Sequence, residues 1–251
     1  MAEKGVSDTD RECIRLGSWS EGQLNRLVGE AARINDAGER IEFLSRQFLD
    51  VEYREKTLVG DAETKEVLVV DLQGVDCFTF IDYVEAMRCS RSFTGFVNNL
   101  KRIRYRTGNV AFAERNHFFT DWREFNHNLV VDVTGRIGGA KTKTVRKLLN
   151  AKGDGTSYLP GIPHRERTIE YIPACAIDDE MITQLKTGDY IGMYSVLPGL
   201  DVSHVGILAD YSGKIHLRHA SSLAKCRRVC DQDFVSYVAD KPGIVILRPS
   251  G

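Results

Sequence analysis

Apolar residues in the first hundred positions recur at the spacing of one helix face. The clearest stripe comprises Leu24, Leu27, Val28 and Ala31. Ser20 is followed three residues later by Gln23, which is the pattern of a capping box, so a helix is predicted to begin there. The same spacing predicts helices over about 41–49, from 77 to about 87, and over about 93–103.

Short apolar runs bounded by turn residues take over from residue 170. In chain order the runs are TIEYIPA, GDYIGMYS, SHVGILAD, GKIHLRHAS and PGIVILRP, with a short helix predicted at DDEMITQL after the first run. Tyr211, Ser212 and Gly213 give a turn signal that predicts a hairpin between SHVGILAD and GKIHLRHAS. Helices first and strands last indicate an α+β fold.

Residues 107–170 mix a strand-like run, NLVVDVT, with the turn-rich stretch KGDGTSYLPGIPHRER. No low-complexity linker bounds this region in the sequence, so we expect a single domain over 1–251 with an insertion lobe at about 107–170. A basic cluster inside the lobe is expected to form the solvated face of a short helix. Its members are Lys141, Lys143, Arg146 and Lys147.

Composition and charge restrict the class of protein. The 251 residues are 42% hydrophobic and 27% charged, which is typical of a soluble globular protein. A net charge of −1 gives no electrostatic reason to expect a nucleic-acid partner. No apolar run approaches the ~20 residues of a membrane span. The opening MAEKGVSDTDRE lacks the apolar stretch of a secretory signal, which predicts a cytoplasmic location, or a periplasmic or cell-envelope one if a signal has been removed.

The six cysteines are too sparse for a disulfide framework and lack the paired spacing of a zinc site. Cys226 and Cys230 are close enough in sequence to pair, although two ordinary thiols are expected in a reducing compartment. Cys77 stands out because it opens a predicted helix, with Asp76 at the N-cap position. Taken alone, Cys77 is open to interpretation as a buried structural thiol, a metal ligand, half of a disulfide or a nucleophile.

A cysteine reacts as the thiolate, and its ordinary pKa lies near ~8.5. The positive end of a helix and a neighbouring imidazolium both lower that pKa, so a histidine beside Cys77 predicts an activated thiolate. His204 starts one predicted strand and His219 ends the next, so the hairpin places them side by side. Alternation along the strand puts His219 on the apolar face with Leu217, whereas His216 points away with Arg218.

The motifs DCFTF at a helix start, SHVGI on a strand and HLRHAS on the next resemble the NlpC-type cell-wall cysteine peptidases. The segments RNHFFTDW, YIP, LDVSHVGI and GIVILRP are similar, in the same order, to the N-acetylmuramoyl-L-alanine amidase-like branch. This resemblance implies a papain-like fold, in which N-terminal helices pack on a C-terminal antiparallel sheet or partial barrel. It also implies Cys77 as nucleophile, His204 as general base and acid, and His219 as the residue that orients His204.

The resemblance further implies a peptidoglycan-derived substrate and neither a metal nor another cofactor. We expect a monomer that cleaves the amide between N-acetylmuramic acid and L-alanine through a thioester. The backbone N–H of Cys77 is a natural donor to the oxyanion. Five residues are candidates for contact with the substrate: Tyr53, Asp76, Asp121, Trp122 and Ser203. Core packing is an open alternative for Trp122, and capping of the following turn is an open alternative for Asp121.

Other functions fit the same residues. A γ-D-glutamyl endopeptidase would use the same mechanism on the stem peptide of peptidoglycan. A muropeptide-binding module without catalysis, or an acyltransferase, would have the same papain-like fold but would not hydrolyse the substrate. A zinc hydrolase would use the cysteine and the two histidines as metal ligands.

Overall fold

A computed structural model describes residues 12–251. The predicted absence of a signal concerns residues that, apart from Glu12, lie outside this range. The helices of the described residues are α1 (Glu21–Ala31), α2 (Ala37–Arg46), α3 (Cys77–Arg88), α4 (Phe93–Arg104), α5 (Phe119–Phe125), α6 (Thr134–Gly138), α7 (Asp179–Gln184) and α8 (Phe234–Val238). No helix within 12–251 has both the length and the apolar composition that a membrane crossing requires.

The strands of the described residues are β1 (Glu12–Arg15), β2 (Glu52–Tyr53), β3 (Leu68–Asp71), β4 (Gly74–Val75), β5 (Val130–Asp132), β6 (Lys143–Leu149), β7 (Arg165–Pro173), β8 (Tyr190–Tyr194), β9 (Val202–Tyr211), β10 (Lys214–Ala220), β11 (Val229–Asp233) and β12 (Gly243–Pro249). Eight of them form one sheet in the order β11-β10-β9-β8-β12-β7-β6, with β5 paired to the remaining part of β12. Pairing along this path is antiparallel. Helices and a large antiparallel sheet confirm the α+β prediction.

The large sheet is covered on both faces, which explains its continuous apolar runs. On β12, Val245 and Leu247 join the apolar cluster formed with the N-terminal helices, whereas Ile244 and Ile246 join a second cluster on the other face. The second cluster includes Phe234 of α8. A strand buried on both faces has no polar side to alternate, so it reads as an uninterrupted hydrophobic segment.

Helix α3 is the most enclosed element of the N-terminal half. Ten of its twelve residues are buried, and it packs on α2, α4, β9 and β10. The sequence predicted one apolar face, but the polar positions are buried as well because each has a charged or hydroxyl partner. Asp82 accepts from Arg104 at 2.8 Å, and Glu85 accepts from Arg88 and from the hydroxyl of Tyr190.

Several predicted elements are confirmed at the level of single caps and turns. Ser20 and Gln23 form the capping box of α1, and α3 begins at Cys77. The hairpin turn between β9 and β10 lies at Ser212 and Gly213, both with positive φ. The antiparallel pairing of β9 with β10 is the feature that places residues 204 and 219 at the same end of the hairpin.

The basic cluster at 141–147 was predicted on a helix, and this is wrong. Lys143, Arg146 and Lys147 lie on β6, which pairs with β7 along its whole length. Lys143, Arg146 and Lys147 have the i, i+3, i+4 spacing of a helix face, but on the strand Arg146 points to the opposite face from the two lysines. Lys147 is partly buried and donates to the carbonyl of Leu200 at 2.9 Å. Strand β11 and helix α8 were not predicted, since VCDQD has no apolar run.

The buried pair formed by Asp82 and Arg104 gives a test of how α3 is held. We expect Asp82→Ala to lower the free energy of unfolding by about 3–5 kcal/mol, because it leaves a fully buried guanidinium without its carboxylate. Urea unfolding measures the change. Arg46→Ala, which removes the exposed pair with Glu42, is the matched control and is expected to cost under about 1 kcal/mol. Equal losses in the two variants would contradict this description of α3.

Candidate active site

Asp76 and Cys77 form the start of α3 as the sequence predicts. The Asp76 carboxylate accepts from the backbone N–H of Phe78 at 3.0 Å and of Thr79 at 2.7 Å, and the Thr79 hydroxyl accepts from the N–H of Asp76 at 3.0 Å. This reciprocal capping fixes the first turn. Cys77 is therefore held at the first position of α3, where unpaired N–H groups gather.

His204 and His219 are neighbours on β9 and β10. The Nε2 atom of His204 lies 2.7 Å from Nδ1 of His219, and the two rings are nearly perpendicular, at 89°. Gly206 permits this approach, because a Cβ at that position would lie 3.0 Å from Cβ of His219 and 2.8 Å from Cδ1 of Leu217. The glycine in SHVGI thus has a packing role that places β10 close to β9.

The histidine pair continues into β11. His219 is 1% exposed, and its Nε2 lies 2.7 Å from Oε1 of Gln232. The three side chains form one hydrogen-bonded series from His204 through His219 to Gln232. Gln232 was missed by sequence reasoning because β11 is polar and carried no strand signal. The register of β10 on β11, with Leu217 opposite Gln232, places Gln232 on the face of His219, and this register is known from the structure and not from the sequence.

Cys77 and His204 line the same cavity, whose volume is about 230 Å³. The sequence from Leu200 to Val205 forms one wall, so Ser203, predicted to contact substrate, also faces this space. His117 lines it as well, with Nε2 2.8 Å from the carbonyl oxygen of Phe112. Leu159 is shared with a second cavity of about 570 Å³, which Asp76 also lines.

The electrostatics of the cavity differ from the predicted activated thiolate. Burial raises the pKa of Cys77 to about 12, with Asp76 acting in the same direction. Backbone N–H groups of Val205, Cys77 and Phe78 act against this rise. Burial also lowers the pKa of His204 to about 3, helped by His219 and Lys241. Thiol and imidazole are therefore both neutral in the resting site at pH 7, because the enclosed cavity disfavours either isolated charge.

Tyr53 lies beside the start of α3, because β2 pairs with β4 and sets Tyr53 opposite Val75. Burial raises its pKa to about 12, and the nearby Cys77 and Asp76 contribute to that rise. Its backbone N–H donates to the carbonyl of Arg227 at 2.9 Å, and the Arg227 guanidinium lies 5.3 Å from the ring centre. Tyr53 is thus held near Cys77 as a neutral phenol.

Two of the predicted substrate contacts are used elsewhere in the fold. Trp122 is 0% exposed, stacks on Phe119 and donates from Nε1 to Asp82 at 3.0 Å, so no face of its ring is open to a sugar. Core packing, the alternative open for Trp122, describes its position. Asp121 is buried and pairs with Arg165 and Arg167, so it is not available as a free carboxylate.

The remaining cysteines and histidines stand apart from this constellation. Cys226 and Cys230 remain free thiols with their sulfur atoms 3.1 Å apart. His164 lies 2.9 Å from the hydroxyl of Ser157. Within residues 12–251, no three His, Cys, Asp or Glu side chains are grouped so as to hold a metal ion.

Known proteins have sequences and structures similar to those of this chain. The AmiA-like family, described as N-acetylmuramoyl-L-alanine amidase-like, matches residues 43–244. Protein LPG0564 from Legionella pneumophila has a similar structure, with a TM-score of 0.77 and 20% identity over 92% of this chain and 94% of that one. At that identity the likeness concerns the fold alone.

Two Bacteroides structures are also similar. An N-acetylmuramoyl-L-alanine amidase from Bacteroides uniformis has a TM-score of 0.71 and 26% identity over 86% of this chain and 99% of that one. A Bacteroides fragilis protein provisionally named xylanase has a TM-score of 0.67 and 27% identity over 82% and 99%. No curated protein matches the sequence. Because the family match spans most of the chain, the protein belongs to the AmiA-like, N-acetylmuramoyl-L-alanine amidase-like family.

Proposed function

We propose that the protein is a cysteine hydrolase of peptidoglycan fragments, cleaving the amide between N-acetylmuramic acid and L-alanine. The observation that carries the proposal is one cavity lined by Cys77 and His204, with His219 in hydrogen-bond contact behind His204. Family membership and the amidase name of the Bacteroides uniformis neighbour support the choice of bond. The nucleophile is Cys77, the base is His204, and His219 orients it.

The reaction begins from the neutral pair. His204 takes the proton of the Cys77 thiol as the sulfur attacks the amide carbon, which gives a tetrahedral oxyanion and an imidazolium. The backbone N–H of Cys77 is the proposed donor to the oxyanion, and the neutral phenol of Tyr53 is the candidate for a second donor. His219 accepts part of the charge that develops on His204 through their hydrogen bond.

Collapse of the tetrahedral intermediate breaks the carbon–nitrogen bond. His204 returns its proton to the departing amine of L-alanine, and the lactyl carbonyl of the sugar remains as a thioester on Cys77. Water, deprotonated by His204, then attacks the thioester and releases the sugar acid. The thiol recovers its proton from His204, so the site returns to its neutral resting state.

Raised and lowered pKa values fit this sequence of proton transfers. A histidine whose pKa lies at about 3 is unprotonated at neutral pH and ready to act as a base. The thiol does not need to be ionised beforehand, because its proton moves as the bond to carbon forms. The N–H groups of Val205, Cys77 and Phe78 favour the transient negative charge on sulfur.

A glycosidase, as the provisional xylanase name of the Bacteroides fragilis neighbour would suggest for that protein, has different requirements. Glycoside hydrolysis generally uses two carboxyl groups, one on each side of the scissile bond. Among the described residues that line the Cys77 cavity, Asp201 is the one carboxylate, and it accepts from the N–H and hydroxyl of Thr120. The amidase therefore has better support from the cavity's side chains.

Replacing the nucleophile tests the proposed function. We expect Cys77→Ala to lower kcat on a defined muropeptide at least about 1,000-fold, because no thioester can form. Mass spectrometry of the wild-type products should find free stem peptide beginning with L-alanine. Cys175→Ala, which changes an exposed cysteine, is the matched control and should keep full activity. Hydrolysis that persists in Cys77→Ala would disprove thiol catalysis, and a shortened stem still attached to the sugar would favour the endopeptidase.

The pH dependence of kcat/KM tests the electrostatics of His204. Its lowered pKa keeps the basic form populated well below the ordinary histidine range, so activity should be retained down to about pH 5 and lost only as pH falls further. Initial rates between pH 4 and 9, with circular dichroism at each pH to confirm folding, measure this. An acidic limb with an apparent pKa at the ordinary histidine value of 6.5 would contradict an enclosed, neutral His204.

A further inference from the structure

Gln232 is a hydrogen-bond partner of His219, and the proposed reaction assigns Gln232 no role. It lies on β11, two residues after Cys230, which is directly opposite His219 on β10. Alternation along β11 therefore brings Gln232 to the same face of the sheet as His219. Its Oε1 atom lies 2.7 Å from Nε2 of His219, and this contact continues the 2.7 Å contact between His219 and His204.

An amide oxygen accepts hydrogen bonds and cannot donate them. The contact with Gln232 therefore requires the proton of neutral His219 to reside on Nε2, which leaves Nδ1 of His219 as an acceptor. Since Nδ1 faces Nε2 of His204, the proton of His204 must reside on that Nε2. His204 is then left with a lone pair on Nδ1, the form that a base needs.

The opposite orientation of the amide has the opposite result. An NH₂ group facing His219 would donate to Nε2, move the His219 proton to Nδ1 and reverse the bond to His204. Nδ1 of His204 would then carry the proton and have no lone pair to offer a thiol. Thus a single amide on β11 determines which nitrogen of a histidine two side chains away can act as a base.

We infer that Gln232 is a positioning residue that fixes the tautomers of His219 and His204, holding His204 as the Nδ1 base. The inference about tautomers stands on the hydrogen-bonded series alone, whereas its catalytic consequence rests on the proposed function. Gln232 does not line the cavity that Cys77 and His204 share, so it acts through the histidines.

The charged and titratable groups around the pair do not impose this pattern themselves. Asp231, next to Gln232 on β11, favours a protonated His219, and Lys241 opposes protonation of both histidines. Tyr237 of α8 packs its ring against both, with centroids 4.8 Å from His219 and 6.3 Å from His204. These groups set how readily the rings gain a proton, while Gln232 selects the nitrogen that carries it.

Nitrogen NMR of the full chain with ¹⁵N-labelled histidine tests the inference without any substrate. Near pH 7 the wild-type protein should show His204 and His219 as neutral rings protonated on Nε2. Gln232→Leu removes the acceptor and should give mixed tautomers at both histidines. Gln232→Glu keeps an acceptor and should retain the Nε2–H form. Gln184→Leu, an exposed change on α7, is the matched control and should leave both spectra unaltered.

Kinetics on a defined muropeptide provide a second measurement. Gln232→Leu should lower kcat about 10- to 100-fold with little change in KM, as loss of an orienting hydrogen bond does. Gln232→Glu should restore most of kcat and move the acidic limb to higher pH, because its negative charge raises the pKa of the histidines.

Two results would overturn the inference: a wild-type His204 protonated on Nδ1, or tautomers that stay unchanged in Gln232→Leu. Both are read by NMR on folded protein, so neither depends on the enzyme assay. Failure of the proposed function would be recognised differently, by hydrolysis that survives Cys77→Ala while the tautomers remain as described.

Discussion

The site depends on how helix α3 is fixed within the protein. A helix whose twelve residues include ten buried ones cannot shift or rotate without exposing apolar surface or separating buried charges. The Asp82–Arg104 pair holds it from the α4 side, and Trp122 donates to the same Asp82. The hydroxyl of Tyr190 on β8, which donates to Glu85, holds it from the sheet side. The position of Cys77 at the start of this helix is therefore fixed by packing in the core and not by the conformation of a loop.

The second half of the site comes from strand pairing. Register between β9 and β10 brings His204 beside His219, and register between β10 and β11 brings Gln232 within reach. Enclosure then favours the neutral forms of Cys77 and His204. In the proposed reaction, protons move between these neighbours as bonds form. This differs from a preformed thiolate, for which a helix terminus and an imidazolium would have to outweigh burial and the charge of Asp76.

The sequence was sufficient where local rules govern the result. Capping identified Ser20 and Asp76, and the hairpin signal at Tyr211–Gly213 predicted that His204 and His219 are neighbours. The sequence was not sufficient where burial determines the environment or the pKa of a side chain. The enclosure of Trp122 and the raised pKa of Cys77 depend on packing between distant segments. The strand that carries Gln232 is polar, so no hydrophobic pattern predicts it. The basic strand β6 was mistaken for a helix face because its basic residues have the i, i+3, i+4 spacing of one.

The proposed reaction requires the sulfur of Cys77 to attack the carbonyl carbon that links the sugar to L-alanine. Rapid acid quenching during turnover of a defined muropeptide, followed by mass mapping of the modified peptide, tests it most directly. We expect an adduct on Cys77 that contains the sugar acyl group and lacks L-alanine. An adduct on another residue, or one on Cys77 that retains L-alanine, would contradict it.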